Sequence, residues 1–131
     1  MKIHHIGIAI DDVDSVLEIY KLTRDDISEI IYDSEQKNNL YFIFLKENNL
    51  WLELIEPVEK DSTIRNFVNK NKTALHHIGI SSNDLDKEQV YYSNLPRTYP
   101  IGKYKLYVKS FGGHIQTLFV SFKGLITEFV A

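Results

Sequence analysis

The chain has 131 residues, 44% hydrophobic, 25% charged and 12% aromatic, with a formal net charge of −3. This composition is globular; it excludes collagen-like, low-complexity and disordered chains, and its mild acidic excess gives no electrostatic reason to bind nucleic acid. There is no cysteine, which removes disulfides, thiolate metal sites and cysteine nucleophiles together.

Patterned sequence begins within the first few residues, so no signal peptide is expected ahead of the domain. Ile6, Ile8 and Ile10 fall on one face of a strand, and His5, Gly7 and Ala9 on the other. Asp11 or Asp12 can cap a following helix whose apolar positions are Val13, Val16, Leu17 and Tyr20. Three strands are predicted next, over Ile27–Tyr32, Leu40–Leu45 and Leu50–Ile55, separated by polar turn-forming clusters. Leu40–Leu45 is also the longest unbroken apolar run, far short of the ~20 residues that span a bilayer, so the expectation is a cytoplasmic protein without membrane contact. Asp61 or Ser62 then caps a short helix with Ile64, Phe67 and Val68 on its apolar face.

The second half repeats the first. Residues 2–14 read KIHHIGIAIDDVD and residues 74–86 read ALHHIGISSNDLD, with seven of thirteen positions identical at an offset of 72. Average composition would give about one identity. A weaker helix follows over Leu85–Leu95, then strands at Tyr104–Val108, Ile115–Phe122 and Leu125–Val130. The predicted architecture is α+β: two tandem βαβββ modules within one domain, module one at 1–58, a connecting helix at 59–72 and module two at 73–131.

The repeat selects the residues that can carry chemistry. His5 and His77 occupy equivalent positions of equivalent strands, beside small neighbours (Gly7 and Ala9, Gly79 and Ser81) that leave room above each imidazole. Glu53 in WLELIEP and Glu128 in LITEFVA each interrupt an otherwise apolar strand, where a carboxylate is costly to bury unless something positive pairs with it. Two imidazoles and two carboxylates form an N2O2 set suited to one divalent first-row ion, with positions left for water or substrate. His4 and His76 point the other way by alternation, and His114, after Gly112 and Gly113, is expected at the surface or a cleft rim. Lys103, Lys105 and Lys109 can meet an acidic substrate tail or form a solvated strand face, the commoner arrangement.

The paired modules, with HHIGIAIDDVD, WLELIEP, ALHHIGI and LITEFVA, resemble the vicinal oxygen chelate superfamily, and within it the methylmalonyl-CoA epimerase and glyoxalase-like branch. WLELIEPVEKDSTIRNF is especially similar to that branch. The resemblance implies a mixed sheet curled around a metal cleft, with His5, Glu53, His77 and Glu128 as ligands of one Zn, Co, Ni or Mn ion. It also implies proton transfer through an enolate on a small acyl thioester or 2-oxo compound, with Glu128 as first candidate base and Glu53 as second, and a homodimer. A glyoxalase-type lyase or related transferase, and a non-catalytic module that binds a small ligand, are the alternatives. Epimerases of this branch carry glutamine at the position of Glu53 and a further carboxylate on the neighbouring strand. Here that strand reads LYFIFL, without an acid.

Overall fold

In the computed structural model, which describes residues 1–131, the strands are β1 (Ile3–Ala9), β2 (Glu29–Asp33), β3 (Asn38–Leu45), β4 (Leu50–Pro57), β5 (Ala74–Ser81), β6 (Thr98–Val108), β7 (Gly113–Phe122) and β8 (Leu125–Val130). Helix α1 (Val13–Ile19) follows β1, α2 (Arg65–Asn71) follows β4 and α3 (Leu85–Ser93) follows β5, so β-α-β-β-β occurs twice. No helix is long and apolar enough to cross a membrane. The chain divides into two compact units, one of residues Ile6–His76 and one of Met1–His5 with His77–Ala131.

In the first unit the strand order is β2-β3-β4-β1. Ile8 of β1, Ile10 just after it, Tyr41 and Ile43 of β3 and Leu52 and Leu54 of β4 pack against Val13, Val16 and Leu17 of α1 to make its core. The period of two in the strands and the three-to-four spacing in the helix therefore aim at the same layer. Asp12 starts the helix as its N-cap, accepting a hydrogen bond from the Asp14 amide. Tyr20 does not join the apolar stripe: it is the C-cap, 52% exposed, because the helix ends before the next turn can carry its ring inward. α2 starts later than expected. Its N-cap is Ile64, and the buried Ser62 Oγ instead accepts from the Ile64 amide at 3.2 Å and donates to the Asn38 side chain, pinning the connection to β3.

In the second unit the order is β5-β8-β7-β6, with β5 and β8 parallel and the remaining pairs antiparallel. Leu85 of α3, Leu118 and Val120 of β7 and Phe129 of β8 form its core, with Ile80 and Tyr92 against it. β6 is longer than the sequence pattern suggests, running back through Gly102 and Pro100 to Thr98. A register shift between Pro100 and Gly102 absorbs the irregularity, and β6 lies at the end of the strand order, where proline's missing donor costs no ladder bond. The β3–β4 and β6–β7 connections use the same device: a 3-10 turn (residues 46–48 and 109–111) ending in a left-handed residue, Asn49 at φ 50° and Gly112 at φ 95°. Asparagine and glycine tolerate that conformation best.

The core assignment makes a direct contrast. Leu17→Ala, which removes a side chain only 3% exposed, is expected to cost about 2–5 kcal/mol, whereas Tyr20→Ala stays within about 0.5 kcal/mol of the parent in urea denaturation.

Candidate metal centre

Three of the four candidate ligands meet inside the second unit. His5 closes its N-terminal segment, His77 opens its part of β5, and Glu128 is the fourth residue of β8, opposite Gly79 in the parallel ladder. All three are buried. His5 Nε2 lies 2.9 Å from His77 Nε2 and 2.9 Å from Glu128 Oε2, and His77 Nε2 lies 2.8 Å from the same oxygen. One lone-pair-bearing atom from each residue thus converges on one point, all within 4.8 Å of one another.

The electrostatics follow from that convergence. Burial pushes the Glu128 carboxyl up, but the imidazoles of His5 and His77 against it outweigh that effect and hold it well below the usual carboxylate range. The site therefore presents an anionic oxygen between two imidazole nitrogens. That donor set fits a divalent cation such as zinc, which takes nitrogen and carboxylate oxygen ligands.

The walls are packed to hold these rings. A Cβ on Gly79 would stand 2.1 Å from two atoms of the His5 ring, so only glycine leaves room for that imidazole beside β5. Phe111 stacks near His5 at a centroid distance of 6.2 Å. Phe119 meets His77 edge-on at 5.3 Å, and Tyr104 meets Phe119 at 6.0 Å. By register, Thr117 and Phe119 of β7 share a face with Val130 and Glu128 of β8. The Thr117 hydroxyl is buried on that face without a hydrogen-bond partner, a donor available to an oxygen of a bound molecule.

Glu53 belongs to the first unit, where it is buried and is likewise the fourth residue of its strand, β4. It stands opposite Phe42 of β3, as Glu128 stands opposite Phe119 of β7. The completely buried Phe42 leaves β3 with no acid beside Glu53. His114 is exposed, with its ring 4.9 Å from Tyr107, and Lys103 is paired with Asp86 at 2.8 Å. Alternation turns His4 away from His5, yet their Nδ1 atoms lie 2.9 Å apart, and neither Phe111 nor Thr117 belongs to a sequence motif. Thr117 was accessible by alternation from Phe119, whereas Phe111 lies in a 3-10 turn whose direction no periodicity reveals.

Residues 3–91 match the model of the glyoxalase/bleomycin resistance protein/dioxygenase superfamily. The chain belongs to this superfamily. Among superfamily relatives, human mitochondrial methylmalonyl-CoA epimerase is 30% identical over 87 residues, covering 65% of this chain and 48% of its own length. The Dictyostelium discoideum mitochondrial methylmalonyl-CoA epimerase is 30% identical over 86 residues, covering 64% and 51%. The chain thus spans about half the length of the curated relatives it matches. Among solved structures, a Streptomyces coelicolor methylmalonyl-CoA epimerase variant in complex with 2-nitronate-propionyl-CoA superposes with a TM-score of 0.76 at 25% identity, covering 99% of this chain and 96% of that one. The Mycobacterium tuberculosis methylmalonyl-CoA epimerase has the same fold, with a TM-score of 0.77 at 18% identity over 98% and 85% of the two chains. The α+β fold expected from the repeat is therefore the fold of the superfamily.

Gly79→Ala tests the packing of the centre. The added methyl is expected to destabilise the protein by about 1–3 kcal/mol and to move the His5 ring, read as a shift of its imidazole resonances in NMR spectra.

Proposed function

We propose that this chain is a metal-dependent epimerase or isomerase that moves a proton through an enolate on a small acyl thioester or 2-oxo compound, in the manner of a methylmalonyl-CoA epimerase. The observation that carries the reading is the convergence of His5 Nε2, His77 Nε2 and Glu128 Oε2 at one buried point. Glu53 is the fourth ligand in this reading, supported by its occupying in β4 the place that Glu128 occupies in β8, opposite a phenylalanine in both. Likeness to a solved methylmalonyl-CoA epimerase in complex with methylmalonyl-CoA and ammonium, at 25% identity and a TM-score of 0.76, supports the substrate class.

A divalent ion held by these residues supplies Lewis-acid stabilisation of the negative oxygen that forms when the carbon beside a carbonyl loses its proton. His5 and His77 fix the position of that charge. Glu128, kept anionic by the two imidazoles, accepts the proton from the substrate carbon and returns it, and Glu53 is the second carboxylate able to do so. Return to the opposite face gives epimerisation; return to a neighbouring carbon gives isomerisation. With Phe42 opposite Glu53, no third carboxylate on β3 is assigned a part. The glutamate at position 53, where epimerases of this branch carry glutamine, favours one second reading, a glyoxalase-type lyase on a 2-oxo compound. The reading also keeps a homodimer in the cytoplasm, to which the exposed Val90 and Tyr91 of α3 offer apolar surface.

Two measurements test this. Elemental analysis of the purified protein is expected to give about one divalent ion per chain, lost in a His5→Ala, His77→Ala double variant. Metal-free wild-type protein after reconstitution with zinc, cobalt, nickel and manganese would sink the site. Deuterium exchange at the carbon beside the thioester of methylmalonyl-CoA, followed by NMR in heavy water, is expected to slow by about 10²–10⁴-fold in Glu128→Gln. Exchange confined to 2-oxo substrates would transfer the assignment to the second reading, and unchanged exchange in Glu128→Gln would remove Glu128 as the base.

A further inference from the structure

His5 has two ring nitrogens, and only Nε2 faces the centre described above. Its Nδ1 lies 2.9 Å from Nδ1 of His4, the preceding residue. Strand alternation alone would turn the two side chains apart, so this contact is a specific feature of the start of β1. The His4 ring is held by Phe111, edge-on at 4.5 Å, and Phe111 in turn stacks near His5. Gly79 closes the space beside the His5 ring. In the repeated motif the first histidine has a different setting, because the His76 ring packs edge-on against Phe67 at 5.0 Å.

We propose that His4 is the positioning residue for His5, its Nδ1 accepting the Nδ1–H of His5 so that the Nε2 lone pair of His5 is presented to a divalent cation. The inference rests on the metal-site reading above and deepens it. A neutral imidazole carries one donor and one acceptor nitrogen, so a ring that ligates through Nε2 must hold its proton on Nδ1. That proton needs an acceptor, and a partner on the far nitrogen fixes both the tautomer and the orientation of a ligating histidine. His4 supplies that acceptor in the tautomer protonated at Nε2. The hydrogen bond thus sorts the protons of both rings before a cation arrives, while Phe111 and Gly79 fix the plane in which the His5 ring lies.

The test uses zinc, which is diamagnetic, as the probe. His4→Phe keeps a flat ring against Phe111 and removes the acceptor, whereas His4→Gln offers an amide oxygen in its place. Calorimetric titration is expected to show zinc binding weakened about 10–100-fold in His4→Phe, with most of the loss recovered in His4→Gln. Long-range nitrogen–proton NMR of the zinc-loaded wild type is expected to find His5 protonated at Nδ1 and His4 protonated at Nε2. Zinc bound as tightly by His4→Phe as by the wild type, or zinc-loaded His4 protonated at Nδ1, overturns the proposal while leaving the metal site standing. A wild-type protein that binds no zinc, cobalt, nickel or manganese overturns both. If His4→Phe fails to fold in circular dichroism, the wild-type tautomers decide the matter alone.

Discussion

Removing a carboxylate from water costs several kilocalories per mole even after relaxation, and the cost is recovered only when donors or positive charge meet the oxygen with good geometry. Glu128 is such a group: it is buried within an apolar strand, and two imidazoles are its close partners at 2.8 and 2.9 Å. Much of the second unit is arranged to satisfy this condition. β5 carries His77, the first five residues carry His5, and Gly79 gives up its side chain so that the His5 ring can lie against the strand. The isoleucines on the alternate positions, Ile80 in β5, Ile8 in β1 and Ile10 just beyond it, pack in the helix-covered cores of their units. One period-two pattern therefore separates a packed face from a chemical one.

The duplication lends this arrangement a second copy without copying its chemistry residue for residue. Glu53 and Glu128 each stand fourth in their strands with a phenylalanine opposite, so the scaffold repeats down to the cross-strand pair. The residue facing Glu53 is Phe42, and β3 holds no acid. A phenylalanine there makes the surroundings of Glu53 apolar on that side, which raises the cost of any charge nearby.

The internal repeat made most of the fold legible, because thirteen residues matched at a fixed offset already define two strand-helix starts, and alternation then separates His5 and His77 from the core isoleucines. The ends of elements were less legible. Tyr20 fits the helical spacing of Val13, Val16 and Leu17, yet the helix stops at Ile19, a decision made by the chain reversal at Lys21 (φ 57°) rather than by hydrophobicity. Pro100 and Gly102 read as strand breakers, but at a sheet edge a register shift accommodates both. Lateral contacts were not legible at all. That His4 meets its own neighbour through Nδ1, or that Phe111 closes on both rings, depends on the twist at a strand end and on a 3-10 turn, neither of which leaves a period in the sequence.

The membership of the first five residues in the second unit has a consequence for how the chain is made. His5 and Glu128 are 123 residues apart in sequence, and the Ser81 amide closes on the Lys2 carbonyl at 3.0 Å. During synthesis residues 1–5 emerge before β5, β7 and β8, and they find their partners only once those strands have been made. Ile6–His76 can pack its own core while translation continues, but the charge cluster waits for β8. The cluster is thus assembled late in folding, and a product that stops before β8 would leave His5 without the carboxylate of Glu128.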